Sequence, residues 1–121
     1  MVQHEKDYIM RQIQMLVQFV ARFIFREAQN SHEIHTEQTS ETGKLHTQLK
    51  DLMLANNICA AEDALHENFN ESKDYLRLAM WFYSELNTMT DEELEASEFS
   101  REEVYDGLRD VLSRSGISLP G

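Results

Sequence analysis

The chain is poor in the residues that form disulfides, tight turns and phosphate-binding loops. Its 121 residues include one cysteine, one proline and four glycines. A single cysteine, Cys59, excludes an intrachain disulfide and is typical of a protein from a reducing compartment. β-Sandwiches, β-barrels and glycine-rich phosphate loops all need turn residues in number, so their scarcity argues against these three classes.

Positive charge is also in short supply. Eleven Lys and Arg stand against 22 Asp and Glu, which gives a formal net charge of −11. Because nucleic-acid phosphates are bound by basic residues, no nucleic-acid partner is expected. The deficit is uneven: residues 1–30 carry four basic and three acidic side chains, whereas residues 31–121 carry seven and nineteen.

Long apolar runs are missing as well. The stretch from Tyr8 to Ala28 is rich in apolar residues, but Arg11, Arg22 and Arg26 interrupt it, and no unbroken apolar run in it exceeds three residues. A membrane span needs roughly 20 mostly apolar residues. The opening residues are polar and lack the pattern of a secretory signal. We therefore expect a cytoplasmic protein, and the length predicts one domain over residues 1–121.

The periodicity predicts a first helix over residues 7–28 that is apolar on well over half of its circumference. Its polar residues at steps of three and four form one narrow stripe: Arg11, Gln14, Gln18, Arg22 and Arg26. A surface helix usually has an apolar stripe little wider than 100°, so this helix must be covered from more than one side. A second subunit is the simplest cover. The residues that we expect in such a self-association surface are Met15, Phe19, Val20, Phe23 and Ile24.

Residues 29–43 have no apolar periodicity, and Ile34 is their only large apolar residue. A segment of this kind buries too little surface to offset the entropy lost on ordering, so it is predicted to be a polar linker. Residues 44–115 then read as an array of short helices. The predicted helices span 44–55, 58–68, a segment capped by Ser72 that reaches 86, 91–96 and 101–115.

Helix ends carry the sharpest local patterns. Thr90 with Glu93, and Ser100 with Glu103, fit the capping box, in which the N-cap side chain and the glutamate each bind the other residue's amide. Gly116 is suited to follow the last helix, with Ile117 folding back on it. No segment resembles a strand. The predicted fold is all-α, with six helices.

Two resemblances add to this prediction. Residues 56–65, with Ile58 and Ala61 at the packing positions, resemble the second helix of a tetratricopeptide repeat, which implies antiparallel helical hairpins. The segments DYIMRQIQMLVQFVARFIF, AAEDAL and WFYSELNTMTDEELEASEFSREEVYDGLRDV resemble an uncharacterised family of short all-helical proteins of Gram-positive bacteria. This second resemblance implies a helical cytoplasmic protein and assigns no catalytic or ligand residue.

Histidine could carry metal chemistry. His32 and His35 are three residues apart, with His46 further along, and imidazoles at that spacing can share a zinc ion. However, their segment is not predicted to be helical, so exposed linker residues are the simpler interpretation. Asp63 and His66 match half of a di-iron motif that needs two copies, and we interpret them as a surface pair.

Three further features have two interpretations each. Cys59 lies in the first turn of a helix, which can activate a thiol, but its neighbours suit a small packing residue. The acidic run from Asp91 to Glu103 is a solvated face or a docking surface for a basic partner. The aromatic residues Tyr75, Trp81, Phe82 and Tyr83 form core or line a peptide groove.

The sequence thus predicts a non-enzymatic helical interaction module with no cofactor. It would form a homodimer through its first helix and bind a protein partner that the sequence does not identify. One alternative is a peripheral membrane protein that uses the same helix, with its arginines near the lipid. Another is a metal-dependent enzyme that uses His32, His35 and His46.

Overall fold

A computed structural model describes residues 3–30 and 41–117 of the chain, with side chains for residues 6–24 and 41–117. Every regular element in these ranges is a helix, which confirms the all-α prediction. The six described helices are α1 (Gln3–Asn30), α2 (Glu41–Leu54), α3 (Ile58–Glu67), α4 (Lys73–Thr88), α5 (Asp91–Ala96) and α6 (Arg101–Arg114).

The gap between α1 and α2 is shorter than the polar linker predicted over residues 29–43. Gln29 and Asn30 continue α1, and residues 41–43 form the first turn of α2. Ala28 and Gln29 favour helix although they extend beyond the apolar pattern. Glu41 lies in the first turn of α2, where the helix dipole stabilises an acid. Residues 31–40, which include His32 and His35, lie outside the described residues.

Helix starts follow the predicted caps. The side chain of Asn57 accepts a hydrogen bond from the amide of Ala60 over 3.3 Å, and Ser72 does the same for Tyr75 over 3.0 Å. At α5, the Thr90 hydroxyl accepts from the Glu93 amide over 3.1 Å, and the Glu93 carboxylate accepts from the Thr90 amide over 2.8 Å. This is the complete capping box that the sequence predicted.

The second predicted capping box, at α6, forms only in part. Ser100 accepts from the amide of Glu103 over 3.2 Å. The Glu103 carboxylate accepts from the Ser100 hydroxyl over 3.2 Å, rather than from the Ser100 amide. The N-cap function of Ser100 is kept.

Helix α4 is the centre of the fold. It packs against α1, α2 and α6, while α1 also contacts α6 and α2 also contacts α3. Its buried residues extend around most of its circumference, as its broad apolar pattern indicates. They are Tyr75, Leu76, Leu78, Ala79, Met80, Phe82, Tyr83 and Leu86.

Arg101 holds together the ends of three helices. Its side chain is buried and donates to the carbonyls of Asn87 over 3.1 Å and Met89 over 2.7 Å, and to Asp91 over 3.0 Å. Lys6 of α1 reaches the other oxygen of Asp91 at 3.1 Å. This ion pair links the first turn of α1 to the start of α5, next to the buried Arg101.

Candidate interaction surface

One side of α1 belongs to the protein's own core. Ile13, Leu16, Val20 and Ile24 recur at steps of three and four and are all buried. The prediction that Val20 and Ile24 belong to a self-association surface is therefore wrong, because they are 0% and 5% exposed. The sequence indicates that α1 is apolar on several sides but not on which side α4 and α6 pack.

A second apolar stripe on α1 faces solvent. Met15, Phe19 and Phe23 are 53%, 39% and 45% exposed, and Tyr8 is 61% exposed. We call these four residues the α1 face. The prediction did not include Tyr8, although it lies seven residues, or about two helical turns, before Met15. That spacing was the available indication that it shares the stripe.

The two edges of the α1 face differ. On one edge lie the exposed polar residues Arg11, Gln18 and Arg22, as the predicted polar stripe requires. On the other edge the stripe continues into the buried residues Leu16 and Val20. The α1 face is thus the uncovered margin of the core, bordered by positive charge.

At the C-terminal end of the α1 face, Phe19 and Phe23 form one wall of a cleft of about 470 Å³. Leu76 of α4 and Ile117 line the other side. Ile117 reaches this position because Gly116 has a φ of 77° and the Ile117 amide bonds back to the Leu112 carbonyl over 3.0 Å. This is the helix end predicted from Gly116.

The histidines that are described do not form a metal site. His46 lies on α2 against Trp81, with ring centroids 4.4 Å apart. Within residues 3–30 and 41–117, no three His, Cys, Asp or Glu side chains are grouped so that they could hold a metal ion. His32 and His35 fall outside those ranges.

Asp63 and His66 are not the surface pair that the sequence predicted. Asp63 is exposed, whereas His66 is partly buried and contacts Tyr83 at 2.7 Å and Asp110 at 3.3 Å. The Tyr83 hydroxyl donates to the Glu62 carboxylate over 2.7 Å. Burial raises the pKa of Glu62 and also the pKa of Tyr83. These side chains connect α3, α4 and α6, and their sequence separation made the connection unpredictable.

Cys59 is exposed, so the expectation of a packing residue is wrong. Its thiol lies 3.9 Å from the carbonyl of Ser97. Desolvation and the nearby carboxylates of Glu103 and Glu62 raise the pKa of the thiol. A raised pKa disfavours the thiolate, which is the reactive form.

Three of the four aromatic residues are core, as one of the two interpretations predicted. Tyr75, Phe82 and Tyr83 are buried, and the Tyr75 hydroxyl donates to the carbonyl of Leu65 over 2.7 Å. Burial raises the pKa of Tyr75 to about 12. Trp81 is only partly buried and lines a cleft between α2 and α4.

In the acidic run, Asp91 is exposed but has specific partners. Hydrogen bonds from Arg101 and then Lys6 lower the pKa of its carboxyl. Glu92, Glu95 and Glu98 are exposed. Helix starts favour acids through their dipole, which accounts for Asp91 and Glu92.

No helix in the described part of the chain has the length and the apolar character needed to cross a membrane.

The fold and this surface define an all-helical protein with one exposed apolar helix face. The chain belongs to the family of unknown function DUF6483, whose model matches residues 3–116. No curated protein and no solved structure matches it. Family membership therefore assigns no activity to the chain.

Proposed function

We propose that this protein is a non-enzymatic interaction module that forms a homodimer through the α1 face. The observation that carries the proposal is the row of exposed apolar side chains along one side of α1, formed by Tyr8, Met15, Phe19 and Phe23. At 1.5 Å per residue the stripe is about 22 Å long. Contiguous apolar patches of this kind are uncommon on monomers and mark interaction sites.

The stripe is suited to a two-fold arrangement. Met15 lies near its middle, so two antiparallel copies of α1 would bring Tyr8 of one copy to Phe23 of the other. The same pairing brings the acidic Asp7 of one copy near the basic Arg22 of the other, and both residues are exposed. Such self-complementarity is what a two-fold interface requires.

The partner is a second copy rather than an acidic or basic surface, because the α1 face is apolar and residues 1–30 are nearly neutral. Residues 31–121 are strongly acidic and would repel one another in most other arrangements. An interface on α1 keeps the acidic portions of both copies away from the contact.

The experiment measures molar mass by light scattering over a range of protein concentrations. We expect a dimer for the unmodified protein and a folded monomer for the double variant Tyr8→Glu, Met15→Glu. These two residues are the most exposed of the stripe, so their replacement leaves the core intact. A matched control, Gln14→Glu with Ala21→Glu, adds the same charge at exposed positions of α1 outside the α1 face and its polar edge, and should remain dimeric.

A monomer at all concentrations in the unmodified protein would overturn the proposal. So would a dimer that persists in the double variant. Circular dichroism distinguishes loss of association from loss of folding, since only unfolding removes the helical signal.

A second candidate, binding at a membrane surface, is favoured by the exposed Arg11 and Arg22 beside the α1 face. An interfacial helix combines an apolar face with basic residues that contact anionic lipid. The acidity of the remaining chain opposes this arrangement. Co-sedimentation with anionic vesicles tests it, and Arg11→Gln should weaken binding while leaving the molar mass unchanged.

The proposal also includes a helical hairpin of α2 and α3, similar to those of tetratricopeptide repeats. It is supported by the packing of α2 against α3 and by Asn56, whose φ of 58° turns the chain between them. Ile58 and Ala61 are both fully buried, as the packing positions of such a hairpin require. A crystal structure of the dimer would test this hairpin together with the interface.

A further inference from the structure

A second cleft, of about 440 Å³, lies between the first turns of α2 and the N-terminal half of α4. Pockets for small molecules have volumes of roughly 300–1,000 Å³. His46 and Lys50 line it from α2, and Arg77 and Trp81 line it from α4. None of the residues of the α1 face contributes to it.

The apolar wall of this cleft is formed around Trp81. The rings of Trp81 and His46 meet edge to face, with centroids 4.4 Å apart and planes at 76°. Leu78 completes this wall from α4. Trp81 is the only partly exposed member of the aromatic cluster on α4, so a ring surface remains available to a ligand.

His46 also carries an unusual polar atom. Its Nε2 is buried and has no hydrogen-bond partner among the residues that the structure describes. Buried polar atoms without a partner are rare in folded proteins and need an explanation. The side chain of His46, which carries this Nε2 atom, lines a cleft that is large enough to hold a small ligand.

The charges in the cleft are mainly positive. Neither Lys50 nor Arg77 forms an ion pair with any side chain in the described part of the chain. Lys50 follows His46 by four residues on α2, so both side chains lie on the same side of that helix. Desolvation and then the charge of Lys50 lower the pKa of His46. Asp74 also lines the cleft, but it lies in the first turn of α4, where the helix dipole stabilises an acid.

We propose that this cleft binds a small anion that carries an aromatic ring, such as an aryl phosphate or an aryl carboxylate. The anionic group would contact Lys50 and Arg77, and the ring would pack against Trp81. Two basic side chains without partners are otherwise unexpected in a chain with a net charge of −11. The combination of an apolar wall with a few converging polar groups is the usual composition of a ligand pocket.

The chain offers a direct readout, because Trp81 is its only tryptophan. Titration with phenyl phosphate should produce a saturable change in the fluorescence of Trp81. Benzyl alcohol provides the ring without the charge, and inorganic phosphate provides the charge without the ring. We expect phenyl phosphate to bind at least about tenfold more tightly than either, since each half of the site adds free energy.

Variants test the two basic residues. Arg77→Gln and Lys50→Gln should each weaken the binding of phenyl phosphate about tenfold, as expected for loss of one charged hydrogen-bond partner. The matched control is Arg109→Gln, which removes an exposed arginine of α6 and should leave the affinity unchanged. Binding should also raise the pKa of His46, measured by NMR, because the anion offsets the charge of Lys50.

Three results would overturn the proposal: no saturable change with phenyl phosphate, equal affinity for benzyl alcohol, or an affinity that both Arg77→Gln and Lys50→Gln leave intact. The outcome is separate from that of the mass measurement, because the cleft and the α1 face share no residue.

Discussion

The Tyr83 hydroxyl and the Glu62 carboxylate form a 2.7 Å hydrogen bond directly beneath Gly107 of α6. A Cβ atom at position 107 would overlap both the carboxylate and the hydroxyl. Glycine in a helix interior costs about 1 kcal/mol relative to alanine. Its presence here is explained by the close approach of α6 to this hydrogen-bonded pair.

We therefore expect Gly107→Ala to destabilise the protein, although alanine is the better helix former. Overpacking of this kind costs about 1–3 kcal/mol. Urea denaturation measures the change, and Ser113→Ala, at an exposed position of the same helix, serves as the control. If Gly107→Ala stabilised the protein as much as Ser113→Ala does, the close approach of α6 would be refuted.

Stability should depend on pH through Glu62. Burial raises the pKa of this carboxyl, and the hydrogen bond from Tyr83 and the charge of His66 oppose the rise only in part. A carboxyl with a higher pKa in the folded state stabilises the fold fully below its unfolded pKa. This stabilisation is lost as the pH rises from the unfolded pKa through the raised pKa of the folded state, because the buried carboxyl must then ionise.

The variant Glu62→Gln should lack this loss, because the amide does not titrate and its oxygen still accepts from Tyr83. We expect the free energy of unfolding of the variant, relative to the unmodified protein, to increase as the pH rises above the ordinary pKa of 4.5. Tyr83→Phe removes the hydrogen bond that stabilises the charged form of Glu62. The loss of stability with rising pH should therefore be larger in this variant than in the unmodified protein. Urea denaturation at several pH values provides the comparison, and parallel curves for the three proteins would contradict the assignment.

Arg101 should stabilise the fold mainly through backbone carbonyls rather than through its ion pair. Arg101→Met keeps the volume of the side chain but leaves the carbonyls of Asn87 and Met89 without this donor. The expected loss is about 2–4 kcal/mol, since unsatisfied buried polar groups are costly. Asp91→Asn removes the charge of an exposed partner and should have a much smaller effect.

Urea denaturation at low and high salt separates the two contributions. The effect of Arg101→Met should persist at high salt, because hydrogen bonds between buried groups are weakly screened. A loss of similar size in Asp91→Asn, or an effect that disappears in salt, would show that the ion pair dominates.

The features that were predictable from the sequence are those encoded within a few residues. The caps at Asn57, Ser72 and Thr90 and the turn at Gly116 depend on side chains that bond their own neighbouring backbone. Such patterns are short and local, so α5 begins and ends where they predicted. The same holds for the apolar breadth of α1 and α4, which follows from helical periodicity.

The features that were not predictable depend on contacts between distant segments. Val20 and Ile24 differ from Phe19 and Phe23 only by the side of α1 on which α4 and α6 pack. The hydrogen bond between Glu62 and Tyr83 joins residues 21 positions apart, and no local sequence pattern predicts it. In the candidate surface, three of five predicted residues are exposed for this reason, and the remaining two are core.

The residue that follows the end of α5, Glu98, has a strained backbone conformation that a substitution can test. Glu98 has a φ of 55°, and the Phe99 amide bonds back to the Leu94 carbonyl over 3.0 Å, as at the glycine that ends α6. This left-handed conformation costs a residue with a Cβ atom about 1 kcal/mol relative to glycine. We expect Glu98→Gly to raise the free energy of unfolding by about 0.5–1 kcal/mol.

Two other helix ends serve as controls for Glu98→Gly. Asn56 has a φ of 58°, but asparagine tolerates this region, so Asn56→Gly should change stability less. Gly116→Ala should destabilise by about 1 kcal/mol, because open space around the residue leaves only the backbone conformation to oppose the new side chain. Thermal and urea denaturation of the three variants measures the change in the free energy of unfolding for each. If Glu98→Gly fell at or below Asn56→Gly, the conformation at Glu98 would not be strained.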